Sequence, residues 1–128
     1  ANALIERGWR SIFLIGAKAE AASADAILRN TKKDSPLVPV FDLSLDQVAA
    51  LLASCRCFIG NDSGLLNMSA AVGIPSLGIF GGTAVLTHSA LIHAVTPPDG
   101  RISREDGMRR IAVDAVLDAF ARMKVSPA

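Results

Sequence analysis

Short, almost wholly apolar runs recur along this chain, each followed by a stretch with helical spacing, and that alternation leaves few folds open. Trp9–Gly16, WRSIFLIG, reads as a strand, and Ala17–Asn30, rich in good helix formers, as the helix after it. Leu37–Phe41, LVPVF, is a second strand, and Pro39 makes it an edge strand or a strand end because proline cannot donate to the ladder. Ser44–Ser54 follows as a helix, with Ser44 and Gln47 spaced as a capping box and Leu45, Val48, Leu51 and Leu52 on one stripe. Cys57–Gly60, Leu65–Val72 and Pro75–Phe80 continue as strand, helix and strand. Strands that are apolar throughout, separated by helices of about ten residues, call for a parallel sheet covered on both faces, a three-layer α/β architecture.

Beyond Phe80 the pattern loosens. Gly81–Gly100 contains GGT, THS and TPPDG, turn compositions that predict a long loop with one helical turn around Leu86–Ile92. Ser103–Met123 reads as a closing helix capped by Ser103 with Asp106 three residues on, its apolar face formed by Met108, Ile111, Val116, Leu117 and Phe120. Ala1–Arg7 looks like the tail of a helix running into Gly8, so the chain reads as beginning mid-fold.

Size and charge narrow the function. A chain of 128 residues is one domain's worth, and 13 basic against 12 acidic side chains create no field that would gather nucleic acid or an anionic membrane. No apolar run is long enough to span a bilayer, and the start lacks a signal-peptide pattern, which predicts a cytoplasmic protein. Cys55 and Cys57, two residues apart, suit neither a well-formed disulfide nor a zinc cluster and read as buried free thiols. Neither a metal nor a cofactor is expected.

Chemistry is concentrated in FIGNDSGLLNMSAAVG, Phe58–Gly73, a strand that breaks into Gly-Asn-Asp-Ser-Gly and then a helix. A turn beyond a strand's carboxyl end that opens a helix offers unpaired backbone N–H groups and the positive end of the helix dipole, which suits a phosphate or diphosphate. Gly60 and Gly64 are expected to let the backbone approach a ligand, Ser63 to add a hydroxyl and Asn61 to orient the turn. Asp62, which would repel a diphosphate, is expected to cap the helix instead. The competing reading is that Asp and Ser here are caps and nothing more. The nucleophile elbow is excluded because the serine falls one position late, and the P-loop and the G-x-G-x-x-G fingerprint are absent. A hydrolase using Ser63 with His88 or His93 therefore lacks its elbow. Arg101, Arg104, Arg109 and Arg110 read first as a solvated helix entrance and second as an anion clamp. Thr83, after Gly81 and Gly82 at a strand end, is placed to face the mouth of the site.

Asn61, Asp62, Ser63 and Gly64, then Ala70, Ala71, Gly73 and Pro75, then Phe80, Gly81 and Thr83, resemble the C-terminal signature of the heptosyltransferase-like glycosyltransferases, family nine. That signature runs D-[ST]-G-x-x-H-x-A-A-x-G-x-P and ends in F-G-P-T, and the likeness extends over about residues 9–120. The resemblance implies the Rossmann-like C-terminal half of a GT-B fold. It implies that Asp62, Ser63, Gly64 and Leu65 line a donor diphosphate, that Leu43 packs on the nucleobase, and that Thr83 lies near the donor sugar. The reaction implied is inverting, metal-independent transfer from a nucleotide-diphosphate sugar in lipopolysaccharide synthesis, at most peripheral to the inner membrane. Three positions depart from the pattern. The signature histidine is Asn67, the proline of F-G-P-T is Gly82, and Val38 and Pro39 stand where some relatives place an acidic ribose ligand.

In such a family the catalytic base and the acceptor site belong to an N-terminal domain. The expectation is therefore a single truncated donor-binding domain, residues 1–128, inactive alone. Its central first strand is missing, so either the strands at Ile12–Ile15 and Cys57–Gly60 pair directly or another chain fills the gap, which predicts a self-associated or rearranged domain. The alternative, from another class, is a non-catalytic nucleotide-binding or interaction module on the same scaffold.

Overall fold

The computed structural model describes residues 1–127. It has the α/β character and the parallel strands that the alternation requires. The chain divides into two compact units, Ala1–Leu45 with residues 126–127, and Asp46–Val125.

The first unit opens with a short helix α1 (Asn2–Glu6), followed by strand β1 (Ile12–Ile15), helix α2 (Ala21–Arg29) and strand β2 (Leu37–Val40). β1 and β2 form a two-stranded parallel sheet with Ile12 opposite Leu37 and Ile15 opposite Val40. Pro39 sits opposite Leu14 in a sheet that consists of edges only, where a missing donor is tolerated. The helix expected over Ala17–Asn30 is interrupted at its start. Glu20 turns its carboxylate back to accept the Ala17 N–H at 2.7 Å, and Lys18–Glu20 forms a tighter 3-10 turn before α2 begins. At the other end, Asn30 Nδ2 donates to the Ala26 carbonyl at 2.7 Å and closes the last turn.

The second unit carries helix α3 (Leu45–Ser54), which starts at its border, then strand β3 (Phe58–Asn61), helix α4 (Gly64–Ala71), strands β4 (Ser76–Ile79) and β5 (Ile92–Val95), and helix α5 (Val113–Arg122). Its sheet runs β3-β4-β5, parallel throughout, with Asn61 opposite Ile79 and Ile79 opposite Val95. Leu66, Leu77 and Phe80 are fully buried at its centre, joined by Val48, Leu52, Phe58, Ile74, Ile92, Val95, Ala119 and Phe120. Two polar side chains sit in this core. Ser69 Oγ on α4 lies 2.6 Å from Ser76 Oγ on β4, with the Leu66 and Ile74 carbonyls 2.8 and 3.0 Å away. Two protons shared among three contacts keep both buried hydroxyls satisfied.

Three expectations are corrected. The stretch after Phe80 holds no helical turn at Leu86–Ile92. It holds β5, which buries Ile92 and Val95 while His93 and Ala94 face out. The closing helix does not begin at Ser103. Ser103 Oγ accepts the N–H groups of Glu105 and Asp106 and so caps only a local turn; a 3-10 turn follows at Met108–Arg110, and α5 starts at Val113. The strands also lie in two separate sheets, one in each unit, so the direct β1–β3 pairing offered as one way to close the gap is not among the described ladders.

The thiols of Cys55 and Cys57 are free and half-buried. Burial pushes Cys57 up to about 11, with Cys55 adding to the rise. Burial also raises Cys55, against a partial opposing effect from a Ser54 hydrogen bond. Thiols held protonated in this way are poor nucleophiles.

Candidate functional site

The turn from β3 into α4 is built on Ser63. Its backbone is extended (φ −155°, ψ 170°), its Oγ accepts the Leu66 N–H at 3.4 Å, and its carbonyl receives the Asn67 N–H at 3.3 Å. Ser63 rather than Asp62 is therefore the cap of α4, which corrects the role expected of Asp62. A serine oxygen reaches the third N–H of a helix only from the residue immediately before it, and α4 begins at Gly64, one residue earlier than its apolar pattern suggests. Ser63→Ala is expected to cost about 1 kcal/mol of stability, while Ser63→Asp, which keeps an accepting oxygen, restores most of it. Urea unfolding of the two variants checks this, and an alanine variant as stable as the parent would show that the hydroxyl is not the cap.

With the cap assigned to Ser63, the Gly64 and Leu65 amides take no partner among the described residues. They are orphan donors at the positive end of α4. A Cβ at Gly64 would meet nothing within 4 Å, so the space on the side-chain side of this residue is open. Gly60 plays a different part from the one expected. A Cβ there would lie 2.6 Å from the Phe58 ring, so its missing side chain admits Phe58 rather than a ligand.

Beside the turn, at the carboxyl ends of β3 and β4, lies a hollow of about 170 Å3. It is lined by Asn61, Asp62, Ile79, Gly81, Gly82, Thr83 and Met108. A carboxylate, an amide and a hydroxyl stand there against two apolar side chains, with no cationic group among the lining residues. Asp62 and Thr83 are thus brought to one place. Asn67 is exposed and lies on α4, its Nδ2 donating to the Ser63 carbonyl at 3.1 Å. Leu65 is half-buried on the first turn of α4. Leu43 belongs to the first unit, where it is 38% exposed. His88 and His93 are exposed and line no part of the hollow, which removes the base that a Ser63 hydrolase would need.

Arg110 serves neither as solvated surface nor as an anion clamp. Its guanidinium donates to Asp99 Oδ1 and to the Arg101 carbonyl, each at 2.5 Å, and its Nε lies 3.2 Å from the Asp106 carboxylate. The Arg101 amide, and then Arg110, hold the Asp99 carboxyl below the usual carboxylate range. Met108 and Ile79 are the lining residues that sequence reasoning did not single out. Among the described residues no group of three His, Cys, Asp or Glu gathers to hold a metal ion, and no helix is long and apolar enough to cross a membrane.

A family model described as glycosyltransferase family 9 (heptosyltransferase) matches residues 1–98. Lipopolysaccharide heptosyltransferase 2 of Escherichia coli (strain K12) is 28% identical over 99 residues, which cover 72% of this chain and 28% of that protein. A solved structure of E. coli ADP-heptose LPS heptosyltransferase II matches with a TM-score of 0.82 at 21% identity, over 95% of this chain and 38% of that one. The chain therefore spans well under half the length of these relatives.

Proposed function

Because the chain belongs to glycosyltransferase family 9, the heptosyltransferases, we propose that it supplies the nucleotide-sugar site of an inverting, metal-independent glycosyl transfer. The observation that carries this reading is the pair of unpartnered amides at Gly64 and Leu65, which follow closely on Asn61 and Asp62 in the lining of a hollow at the carboxyl ends of the strands. The donor diphosphate sits on those amides and on the positive end of α4. As the glycosyl bond breaks, negative charge grows on the departing diphosphate, and N–H groups already aimed at it stabilise that charge without rearranging. The sugar enters the hollow, where Asp62, Asn61 and Thr83 present hydrogen-bonding groups to its hydroxyls. Asp62 is thereby kept for a neutral polyol and away from the phosphates, which it would repel. Leu43 is assigned to the nucleobase on the strength of the family pattern.

A catalytic base and an acceptor site belong, on this reading, to a further domain, so that the chain binds its donor but turns over nothing alone. Association with a second copy, and a cytoplasmic location at most peripheral to the inner membrane, are part of the same proposal. The E. coli relative is titled for ADP-heptose. Titration with ADP, UDP and GDP is expected to move the Gly64 and Leu65 amide resonances ahead of all others. Shifts confined to other parts of the chain, or no shift with any diphosphate, would overturn the assignment.

A second reading, a nucleotide-binding module without turnover, is favoured by one feature. The Asn67 amide, standing where the family pattern has histidine, is neutral and turned back onto the Ser63 carbonyl. Donor consumption by the chain joined to a family 9 N-terminal domain, with lipopolysaccharide acceptor present, separates the two readings, since a binding module leaves the donor intact even then.

A further inference from the structure

The wall of the hollow farthest from α4 in sequence comes from a part of the chain that the family model does not match, and it is locked in place twice. First, residues 99–110 are tied to one another. Arg110 joins Asp99, the Arg101 carbonyl and Asp106, while Ser103 caps its own turn and accepts the Gly107 N–H at 2.9 Å. Second, this clasp is seated on the end of β4 through two buried glycines. The Ser103 N–H donates to the Gly81 carbonyl at 2.9 Å. A Cβ on Gly107 would lie 2.5 Å from both the Gly81 carbonyl carbon and the Ser103 oxygen, and one on Gly81 would lie 2.6 Å from the Met108 Cα. Backbone meets backbone there with no room for a side chain on either strand of chain.

The residue this seat delivers to the hollow is Met108, which remains 42% exposed. Held on this seat, the Met108 side chain gives the hollow an apolar wall that a bound guest would cover. Its thioether is unbranched and polarisable and adapts to an irregular apolar surface. The same hollow is lined by Asn61, Asp62 and Thr83, which carry polar groups. A guest that carries both hydroxyls and C–H groups finds partners of both kinds in this lining, whereas a bare phosphate finds a carboxylate and no cation.

We infer that Met108, positioned by the Gly81–Gly107 seat, is a specificity-determining residue that packs on the apolar face of the donor's sugar. This rests on the donor-site reading above, and one experiment separates the two. Binding of ADP and of ADP-heptose to the chain is measured by calorimetry for the parent, Met108→Ala and Met108→Leu. Met108→Ala is expected to weaken ADP-heptose roughly fivefold, the loss for a few tens of Å2 of apolar contact, and to leave ADP unchanged. Met108→Leu, which keeps the apolar volume, stays close to the parent with both ligands. If Met108→Ala weakens neither ligand, or both equally, Met108 does not read the sugar, and the donor site stands without it. If the parent binds no ADP, the donor-site reading itself fails and takes this inference with it.

Discussion

Phe80→Ala is expected to lower the stability of the second unit by about 4 kcal/mol. Phe80 is fully buried at the carboxyl end of β4, and its N–H donates to the Val95 carbonyl at 2.8 Å, so the ring hangs from a backbone that the sheet holds still. That ring lies over Gly78. A Cβ on Gly78 would come 2.5 Å from Phe80 Cε2 and 2.8 Å from Leu66 Cδ2, which means that glycine at 78 is the space the ring and Leu66 occupy. Truncating Phe80 leaves a void whose floor carries no side chain to relax into it, the condition under which large-to-small substitutions cost most. A loss of this size is a large fraction of an ordinary domain's margin. Urea unfolding followed through the amide resonances of residues 46–125 should show the midpoint falling, and a loss under about 2 kcal/mol would mean that the site collapses around the gap.

Gly107→Ala is expected to cost about 3 kcal/mol and, unlike Phe80→Ala, to deform the hollow before it unfolds the chain. The added methyl would press on the Gly81 carbonyl and the Ser103 oxygen, which are backbone atoms fixed by the end of β4 and by the capped turn. No rotamer change relieves that overlap, so the clasp must lift from its seat. Gly107 has φ −54° and ψ −43°, a backbone any residue adopts, so the penalty comes from crowding alone. The expected signature is a lowered urea midpoint together with shifts at Gly81, Gly82 and Met108, while Phe58–Asn61 stay in place. A Gly107→Ala chain with parent stability and an unchanged Met108 environment would show that the two backbones are not in contact.

The strand–helix alternation was readable because buried parallel strands are apolar on both faces, and runs such as FLI and LGI carry that mark without help from distant residues. β5 escaped notice for the opposite reason. With His93 and Ala94 exposed between Ile92 and Val95, and with Pro97 and Pro98 just after, its four residues look like loop. The closing helix was read ten residues too long, since Met108 and Ile111 happen to fall at helical spacing with Val116, Leu117 and Phe120. The chain leaves helical geometry at Ile111 and Ala112, whose backbones are extended, and the 103–110 turns before them are packed on Gly81, a residue distant in sequence that no local pattern announces. At the candidate site, the turn and its neighbours Asp62 and Thr83 were legible from residue type and spacing. The division of labour between Asp62 and Ser63 was not, because it depends on whether the first helical residue is 64 or 65, a difference within the usual uncertainty of helix ends.

The serine that caps the start of α4 has one more implication. On the donor-site proposal, Ser63 commits its oxygen to the helix and the anion falls to main-chain groups, which are the same whatever residue is encoded. A conventional alanine scan across the turn would then report near silence at the very atoms that hold the guest. Replacing the Gly64–Leu65 peptide link by an ester, which deletes the Leu65 N–H while keeping both side chains, is the change to which such a site would answer.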